Sequence, residues 1–209
     1  MNGVTATAAP SRQVERAERS TNRLLDAAAE LITEGGYASM TLAAVGERAG
    51  YSRGLVTARF GAKDKLLEAL VERIVTRWSH RNVLPRTKGR SGLDAVLILV
   101  DAIRAQAERD PRALRTLYAL MFEALGPNPD LRHRFVEFHR GMRADVRQML
   151  RRGRKDGSIR KDIVVDAEAG FIVAGLRGIA YQWVLDEDGF DPVRALKHMV
   201  AVTDARLRR

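Results

Sequence analysis

The sequence contains no cysteine, no long apolar run and none of the common catalytic signatures. Without cysteine, the 209-residue chain can form neither a disulfide framework nor a thiolate site. No apolar run approaches the roughly 20 residues of a membrane-spanning helix, and the N-terminus MNGVTATAAPSRQ has no signal-peptide core. These absences predict a soluble, cytoplasmic protein without a membrane partner.

Motifs for enzymatic chemistry are missing too. The four histidines form neither an HExxH motif nor a pair spaced four residues apart. There is no GxSxG motif and no phosphate-cradling glycine loop. We therefore predict that the chain is not an enzyme and has no catalytic residue, metal or cofactor. A helical enzyme stays as an alternative that no convergent set of residues supports.

Strand-like alternation is absent, and apolar residues recur instead at helical spacing along most of the chain. Breaks rich in proline or glycine, such as GPNP at 126–129, separate these periodic segments. The pattern predicts an all-α fold. Beyond the first 60 residues, the expected helices cover residues 63–81, 93–109, 111–125, 130–154, 166–185 and 192–208.

The stretch 41–63, TLAAVGERAGYSRGLVTARFGAK, has the pattern of two short helices joined by a tight turn and followed by a third helix. Thr41 and Ser52 are expected to cap the first two helices with their side-chain oxygens. Gly50 stands between them, where a helix commonly ends in a left-handed residue. The few residues between the two helices require a sharp turn of the chain.

Two faces of the second short helix differ in character. Val56 and Phe60 are four residues apart and are expected to bury together against the preceding helix. Arg53, Gly54 and Thr57 share an outward face that is basic and small. This is the layout of a helix-turn-helix whose second helix enters the DNA major groove.

Residues 21–70 resemble the TetR family of transcriptional regulators. The resemblance is carried by the apolar first helix and by the segments GGYASMTLAAVGERAGYSRGLVTARF and AKDKLLEAL. Thr57, Ala58 and Arg59 depart from it, since aromatic and histidine residues usually precede the final Phe of the recognition helix. Ala62 also stands where a Ser or Asn usually caps the next helix.

The resemblance implies a fold of about nine helices and a three-part division of the chain. Residues 1–20 are expected to be a flexible arm, with a solvated extension of the first helix as the alternative for residues 11–23. Residues 21–65 are expected to be a three-helix helix-turn-helix DNA-binding domain. Residues 66–209 would then form a helical effector-binding and dimerisation domain. The implied function is a homodimeric repressor that a small-molecule effector releases from a double-stranded DNA operator.

The candidate DNA contacts divide by chemistry. Arg53 and Thr57 are suited to a base edge or a phosphate, and Gly54 permits close approach of the duplex. Leu55 can touch a thymine methyl group or simply pack, and Arg59 is expected to contact a phosphate. Free backbone N–H groups at helix N-termini favour phosphate, which adds three positions: Thr41, Ser52 and Lys63.

Two further sets of residues are candidates in the C-terminal region. Bulky apolar residues of the kind that line ligand pockets are Tyr118, Phe122, Phe138, Met142 and Trp183, for which ordinary core packing is the alternative. The dimer interface is assigned to a stripe of small residues and to two apolar residues of the last helix: Gly170, Ala174, Gly178, Leu196 and Met199. A close helix of the same subunit is the alternative partner for the stripe.

The formal charge of +10 suggests a polyanionic partner, but its distribution weakens the inference. Residues 1–81 carry a net charge of +3, whereas residues 82–209 carry +7. A solvated, arginine-rich surface explains the excess equally well.

The second functional hypothesis is a constitutive, weakly specific DNA-binding protein without an effector, which a fully packed C-terminal core would favour. A cavity among the C-terminal helices would favour the effector-responsive repressor instead.

Overall fold

The computed structural model describes residues 12–127 and 129–209, and the chain forms two compact units with a boundary between Leu70 and Val71. The described residues contain nine helices and no strand, which confirms the all-α prediction. Within these ranges, no helix combines the length and the apolar character needed to cross a membrane.

The helices are numbered here in chain order. The first unit contains α1 (Arg12–Ser39), α2 (Leu42–Ala49), α3 (Arg53–Phe60) and the start of α4. Helix α4 runs without interruption through Lys63–Glu72, a π-helical segment Arg73–Arg77 and Trp78–Asn82. A single helical turn, Leu84–Thr87, is left unnumbered. It is followed by α5 (Gly92–Arg109), α6 (Pro111–Glu123), α7 (Pro129–Asp156), α8 (Val165–Leu185) and α9 (Pro192–Leu207).

Of the two alternatives for the segment after residue 11, the structure shows the extension of the first helix and not the flexible arm. Residues 1–11 lie outside the described residues, and from Arg12 onward the chain is already helical. The hydroxyls of Ser20 and Thr21 donate to the Ala17 carbonyl, at 2.9 and 2.8 Å, so these polar side chains form their hydrogen bonds within the helix. The interleaved charges of this segment are compatible with a solvated helix as well as with a coil.

The apolar stripe of α1 forms the centre of the first unit. Leu24, Leu25, Ala28 and Ile32 are buried there with residues of the following helices. The stripe ends at Gly36, whose φ of 72° breaks the helical path inside α1. Glycine tolerates this left-handed value without the Cβ clash that other residues meet, so the chain can turn into α2.

The second unit is built on a close crossing of α5 and α7. A Cβ added at Gly92 would overlap the backbone of Gly153, so this crossing requires glycine. Asp156 accepts from the Gly92 backbone N–H at 2.7 Å, and Ser158 accepts from that of Leu93 at 3.2 Å. Free N–H groups at a helix start are thus satisfied across the crossing as well as by the local cap.

Candidate DNA-binding face and ligand cavity

The predicted helix-turn-helix is present, with the caps that the sequence indicated. Thr41 accepts from the Ala44 N–H at 3.1 Å, and Ser52 accepts from the Leu55 N–H at 3.2 Å. Gly50 ends α2 with φ of 75°, in the left-handed region. These local interactions set where α2 stops and α3 begins, and so orient the second helix of the motif.

Gly46 is an important residue of the motif that the sequence reasoning missed. It lies inside α2, and a Cβ there would come within 2.9 Å of the Tyr51 carbonyl oxygen and 3.2 Å of the Arg53 nitrogen. The start of α3 therefore packs directly on the backbone of α2. The signal that was available is a glycine in a helix interior, which costs about 1 kcal/mol relative to alanine without a packing reason.

The outward face of α3 has the character that the sequence predicted. Arg53, Gly54 and Thr57 are exposed, whereas Val56 is fully buried against the rest of the unit. The side chains of Arg53 and Thr57 make no hydrogen bond or ion pair within the described residues. A Cβ at Gly54 would meet only the Ser52 hydroxyl, at 3.7 Å, so nothing inside the protein requires glycine there.

Two predicted phosphate contacts are already engaged inside the first unit. Arg59 donates to the Ala17 carbonyl at 3.0 Å, to Thr21 Oγ1 at 2.7 Å and to Ser20 Oγ at 3.3 Å. The Lys63 ammonium donates to the Tyr37 carbonyl at 2.8 Å and lies 3.9 Å from the centre of the Tyr37 ring. Arg59 thus ties the recognition helix to α1, a role that the sequence did not reveal.

This tie leads to a prediction about stability. Arg59→Ala removes three hydrogen bonds to α1, and because the site is exposed we expect a loss of about 1 kcal/mol in the free energy of unfolding. Arg53→Ala is the matched control, since it removes the same charge from α3 but no hydrogen bond. Urea unfolding, followed by circular dichroism, measures the stability of both variants. Equal midpoints would contradict a stabilising role of the Arg59 hydrogen bonds.

A cavity of about 720 Å³ lies among the helices of the second unit. Its walls come from the π-helical segment of α4 and from α5, α6, α7 and α8. The lining is mainly apolar and includes Ile74, Val75, Trp78, Leu99, Ile103, Leu114, Leu117, Tyr118, Phe138, Met142 and Leu176. A volume of this size is in the range of pockets that hold small organic molecules.

The structure brings three of the five predicted pocket residues to this cavity. Tyr118, Phe138 and Met142 line it, but Phe122 and Trp183 are not among the lining residues. Phe122 is 40% exposed and packs edge-on against Tyr181 at 5.6 Å between ring centres, and Trp183 is buried in the protein interior. The assignment of Phe122 and Trp183 is therefore corrected, because large apolar side chains also fill ordinary core and surface contacts.

Most polar groups at the cavity have partners within the protein. Trp78 Nε1 donates to Gln106 Oε1 at 3.0 Å, and the Gln106 amide in turn donates to the Asp110 carbonyl at 3.0 Å. Arg177 donates from Nη1 to the Tyr118 hydroxyl at 3.2 Å. The guanidinium of Arg177 is thus a charged group in the lining of the cavity.

The small-residue stripe of α8 does not pack inside the subunit. A Cβ added at Gly170 or Gly178 would meet nothing within 4 Å, and Ala174 is exposed. Large apolar residues flank the stripe and are also exposed: Phe171 by 56%, Tyr181 by 46% and Leu185 by 72%. An exposed apolar face of this kind commonly marks a protein contact.

Of the two interface residues predicted on α9, Leu196 is buried and Met199 is half-buried. Leu196 is buried in the core of its own unit, and the Met199 side chain lies 3.1 Å from the position of a Cβ at Gly175. Leu196 is therefore removed from the predicted interface, whereas Met199 packs beside Gly175 with part of its side chain exposed and stays a prediction. The outward face of α9 carries other residues instead: His198, Ala201, Val202 and Ala205.

Comparison with protein families agrees with this two-unit organisation. Residues 24–70 match the model described as bacterial regulatory proteins of the tetR family. Residues 93–208, more than half of the chain, match the model described as the C-terminal domain of BetI-type transcriptional repressors. The two matches fall on the helix-turn-helix unit and on the unit that holds the cavity.

A curated relative and two solved structures are similar to the chain. The HTH-type transcriptional regulator BetI of Burkholderia lata is 40% identical over 90 residues, which span 41% of this chain but only 44% of the relative. The complex of SmeT with triclosan has a TM-score of 0.79 at 24% identity and covers 91% of this chain and 92% of its own.

The second structure is a transcriptional regulator from Saccharomonospora viridis in complex with choline. Its TM-score is 0.76 at 18% identity, and the match covers 92% of this chain and 99% of that protein. At these identities the structures show a shared fold, whereas the family models match both units in sequence. The chain therefore belongs to the TetR family of bacterial regulatory proteins, with a C-terminal domain of the BetI repressor type.

Proposed function

We propose that the chain is a homodimeric repressor that leaves its DNA operator when a small molecule occupies the cavity of the second unit. The cavity is the observation that carries this proposal, because a constitutive DNA-binding protein has no need of one. Its mainly apolar lining and its volume of about 720 Å³ suit an organic molecule of moderate size.

The DNA side of the proposal rests on α3. The exposed face with Arg53, Gly54 and Thr57 is the part of the motif that enters a major groove. Arg53 is placed to read a guanine edge, and Thr57 a base edge or phosphate. Thr41, Ser52 and Lys63 lie at helix starts that favour phosphate, and Leu55 is half-buried beside them. Such an activity belongs in the bacterial cytoplasm, where the operator is.

Coupling between ligand and DNA is proposed to run through α4. Its π-helical segment Arg73–Arg77 contributes Ile74, Val75 and Thr76 to the cavity wall. The same helix continues back, without a break, to Lys63 beside the helix-turn-helix. A ligand lowers operator affinity only to the extent that it binds the DNA-free conformation more tightly.

The relatives support a small-molecule effector without naming it. BetI proteins are transcriptional regulators, and the two solved structures described above hold triclosan and choline. The two solved structures are only 24% and 18% identical to this chain, so neither ligand is carried over to it. The proposal assigns the ligand class from the cavity itself.

The test begins with selection of bound duplexes from a random pool, followed by a screen for compounds that release the selected site. Arg53→Ala is expected to lose preference at defined positions of that site, by about 1–3 kcal/mol per base pair. Lys63→Ala should instead weaken binding to all duplexes and reduce the salt slope by about one unit.

Fluorescence anisotropy on cognate and random duplexes, at several salt concentrations, separates the two effects. Arg59→Ala is the matched control for Arg53→Ala, because it removes an arginine from the same helix. Equal losses of Arg53→Ala on cognate and random DNA would show that Arg53 does not read bases. A failure to select any duplex would contradict the proposed function as a whole.

A further inference from the structure

The cavity contains a cation that no acidic group of the protein neutralises. Arg177 lines the cavity from α8 and forms no ion pair with a carboxylate within the described residues. Its Nη1 donates to the Tyr118 hydroxyl at 3.2 Å, and its Nη2 lies 2.8 Å from the Met142 sulfur. A phenol and a thioether are neutral, and sulfur is a weak acceptor.

The guanidinium is held in place by aromatic rings. It lies 4.9 Å from the ring centre of Phe138 and 5.8 Å from that of Tyr118. Its Nε is buried and has no hydrogen-bond acceptor. Burial of a charged group is costly unless a partner compensates it. The arrangement fixes a positive charge on an apolar wall and leaves it incompletely satisfied.

Arg115 is a second arginine whose Nε is buried and unpaired, but its positive charge is compensated by a carboxylate. Arg115 forms an ion pair with Glu187 and lies over the ring of Trp183, at 5.3 Å. It is not among the residues that line the cavity. Of these two arginines, only the one at the cavity lacks a carboxylate.

The acidic residues of the cavity wall do not serve Arg177. Glu137 forms its ion pair with Arg140, at 2.7 Å. Burial raises the pKa of Asp145, and no neighbouring cation offsets this effect. The charge of Arg177 instead affects a nearby histidine: burial lowers the pKa of His139, and the positive charge of Arg177 lowers it further.

We infer that the ligand of this cavity is an amphiphile with an apolar body and a single anionic group, most simply a carboxylate, which binds Arg177. The anion supplies the negative charge, and the charged oxygen acceptors, that the neutral Tyr118 hydroxyl and Met142 thioether lack. The apolar body occupies the wall formed by Leu99, Ile103 and Leu176. This inference rests on the proposed function, because it takes the cavity to be the effector site.

The test uses probes of one chain length and different head groups on the full-length protein. Decanoate, 1-decanol and decyltrimethylammonium present an anion, a neutral group and a cation, and 2-naphthoate distinguishes an aromatic from an aliphatic carboxylate. Trp78 lies at the cavity and provides a fluorescence signal, with isothermal titration calorimetry as the second measurement. We expect at least one of the two carboxylates to bind roughly tenfold or more tightly than decanol, with the cationic probe weakest.

Variants locate the effect at Arg177. Arg177→Met should lower carboxylate affinity roughly tenfold or more and leave decanol binding unchanged, while Arg177→Lys keeps the charge and part of the preference. Arg115→Met removes the arginine that is paired with Glu187 and should change neither probe. Circular dichroism confirms that each variant is folded.

The outcomes separate this inference from the proposed function. If decanol or decyltrimethylammonium binds as tightly as the carboxylates, or if Arg177→Met keeps the carboxylate preference, the cavity binds ligands but the anionic class is wrong. If none of the four probes binds but the compound screen finds another molecule that releases the selected duplex, the anionic class is wrong and the effector-responsive function stands. If the screen finds no such molecule, the effector-responsive function is contradicted.

Discussion

Gly178→Leu is expected to fold normally, to sediment as a monomer at low concentration and to lose operator binding. Gly178 faces open space within its own subunit, since a Cβ there meets nothing within 4 Å. The subunit therefore gives the new side chain no clash. If α8 supplies the two-fold contact that we propose, the branched side chain enters a packed seam between the two copies.

The expected size of the effect follows from symmetry. Overpacking costs roughly 1–3 kcal/mol per site, and a symmetric dimer contains the change twice. The dissociation constant of the dimer should therefore rise by about 30-fold or more. Operator affinity falls with it, because two half-sites on one duplex must be read by two linked recognition helices.

Sedimentation velocity over a concentration series measures this change, and anisotropy with the selected duplex measures its consequence. Ala144→Leu is the matched control, since it adds a large side chain at an exposed position of α7, away from the α8 stripe. A wild-type chain that is monomeric at micromolar concentration would refute the interface. A Gly178→Leu protein that dimerises as well as the wild type would refute its location.

Gly46→Ala and Gly54→Ala are expected to change the stability of the DNA-binding unit in opposite directions. At Gly46 the added methyl group meets backbone atoms, with the Tyr51 oxygen at 2.9 Å, and backbone cannot move aside as a flexible side chain can. We expect a loss of roughly 1–3 kcal/mol in stability. Operator affinity should fall too, because α3 is displaced from α2.

At Gly54 the same substitution should stabilise the protein. The methyl group meets only the Ser52 hydroxyl at 3.7 Å, an ordinary contact, and alanine is favoured over glycine in a helix by about 1 kcal/mol. If the duplex approaches this position closely, operator affinity nevertheless falls. A variant that is more stable but binds DNA less well distinguishes a DNA contact from a folding effect.

Urea unfolding and operator titration of both variants provide the measurements. Equal stability of Gly46→Ala and the wild type would mean that α2 and α3 adjust without cost. Unchanged operator affinity of Gly54→Ala would remove that residue from the DNA face. The Arg59→Ala variant described above supplies a third pattern, with lower stability and the outward face of α3 intact.

Interactions within a few residues of one another were predictable from the sequence. The caps at Thr41 and Ser52 and the left-handed Gly50 depend on backbone groups no more than a few positions away, so residue type and spacing were enough. Helical periodicity similarly predicted the all-α fold and most helix boundaries. For the first half of α1, the charged and weakly apolar residues left both an arm and a helix extension open, and the structure shows the extension.

Contacts between distant segments were decided by the tertiary structure alone. Arg59 reaches acceptors that are 38–42 positions earlier in the chain, and no local pattern signals this pairing. Leu196 was misplaced because periodicity identifies an apolar face of α9 but not the helices that cover it. Likewise, Phe138 and Trp183 are both large and apolar, yet only Phe138 lines the cavity. The hydrophobic effect is non-directional and favours burial against any apolar partner. Only the packing of the helices therefore determines which side chains fill the core and which line the space that a ligand can enter.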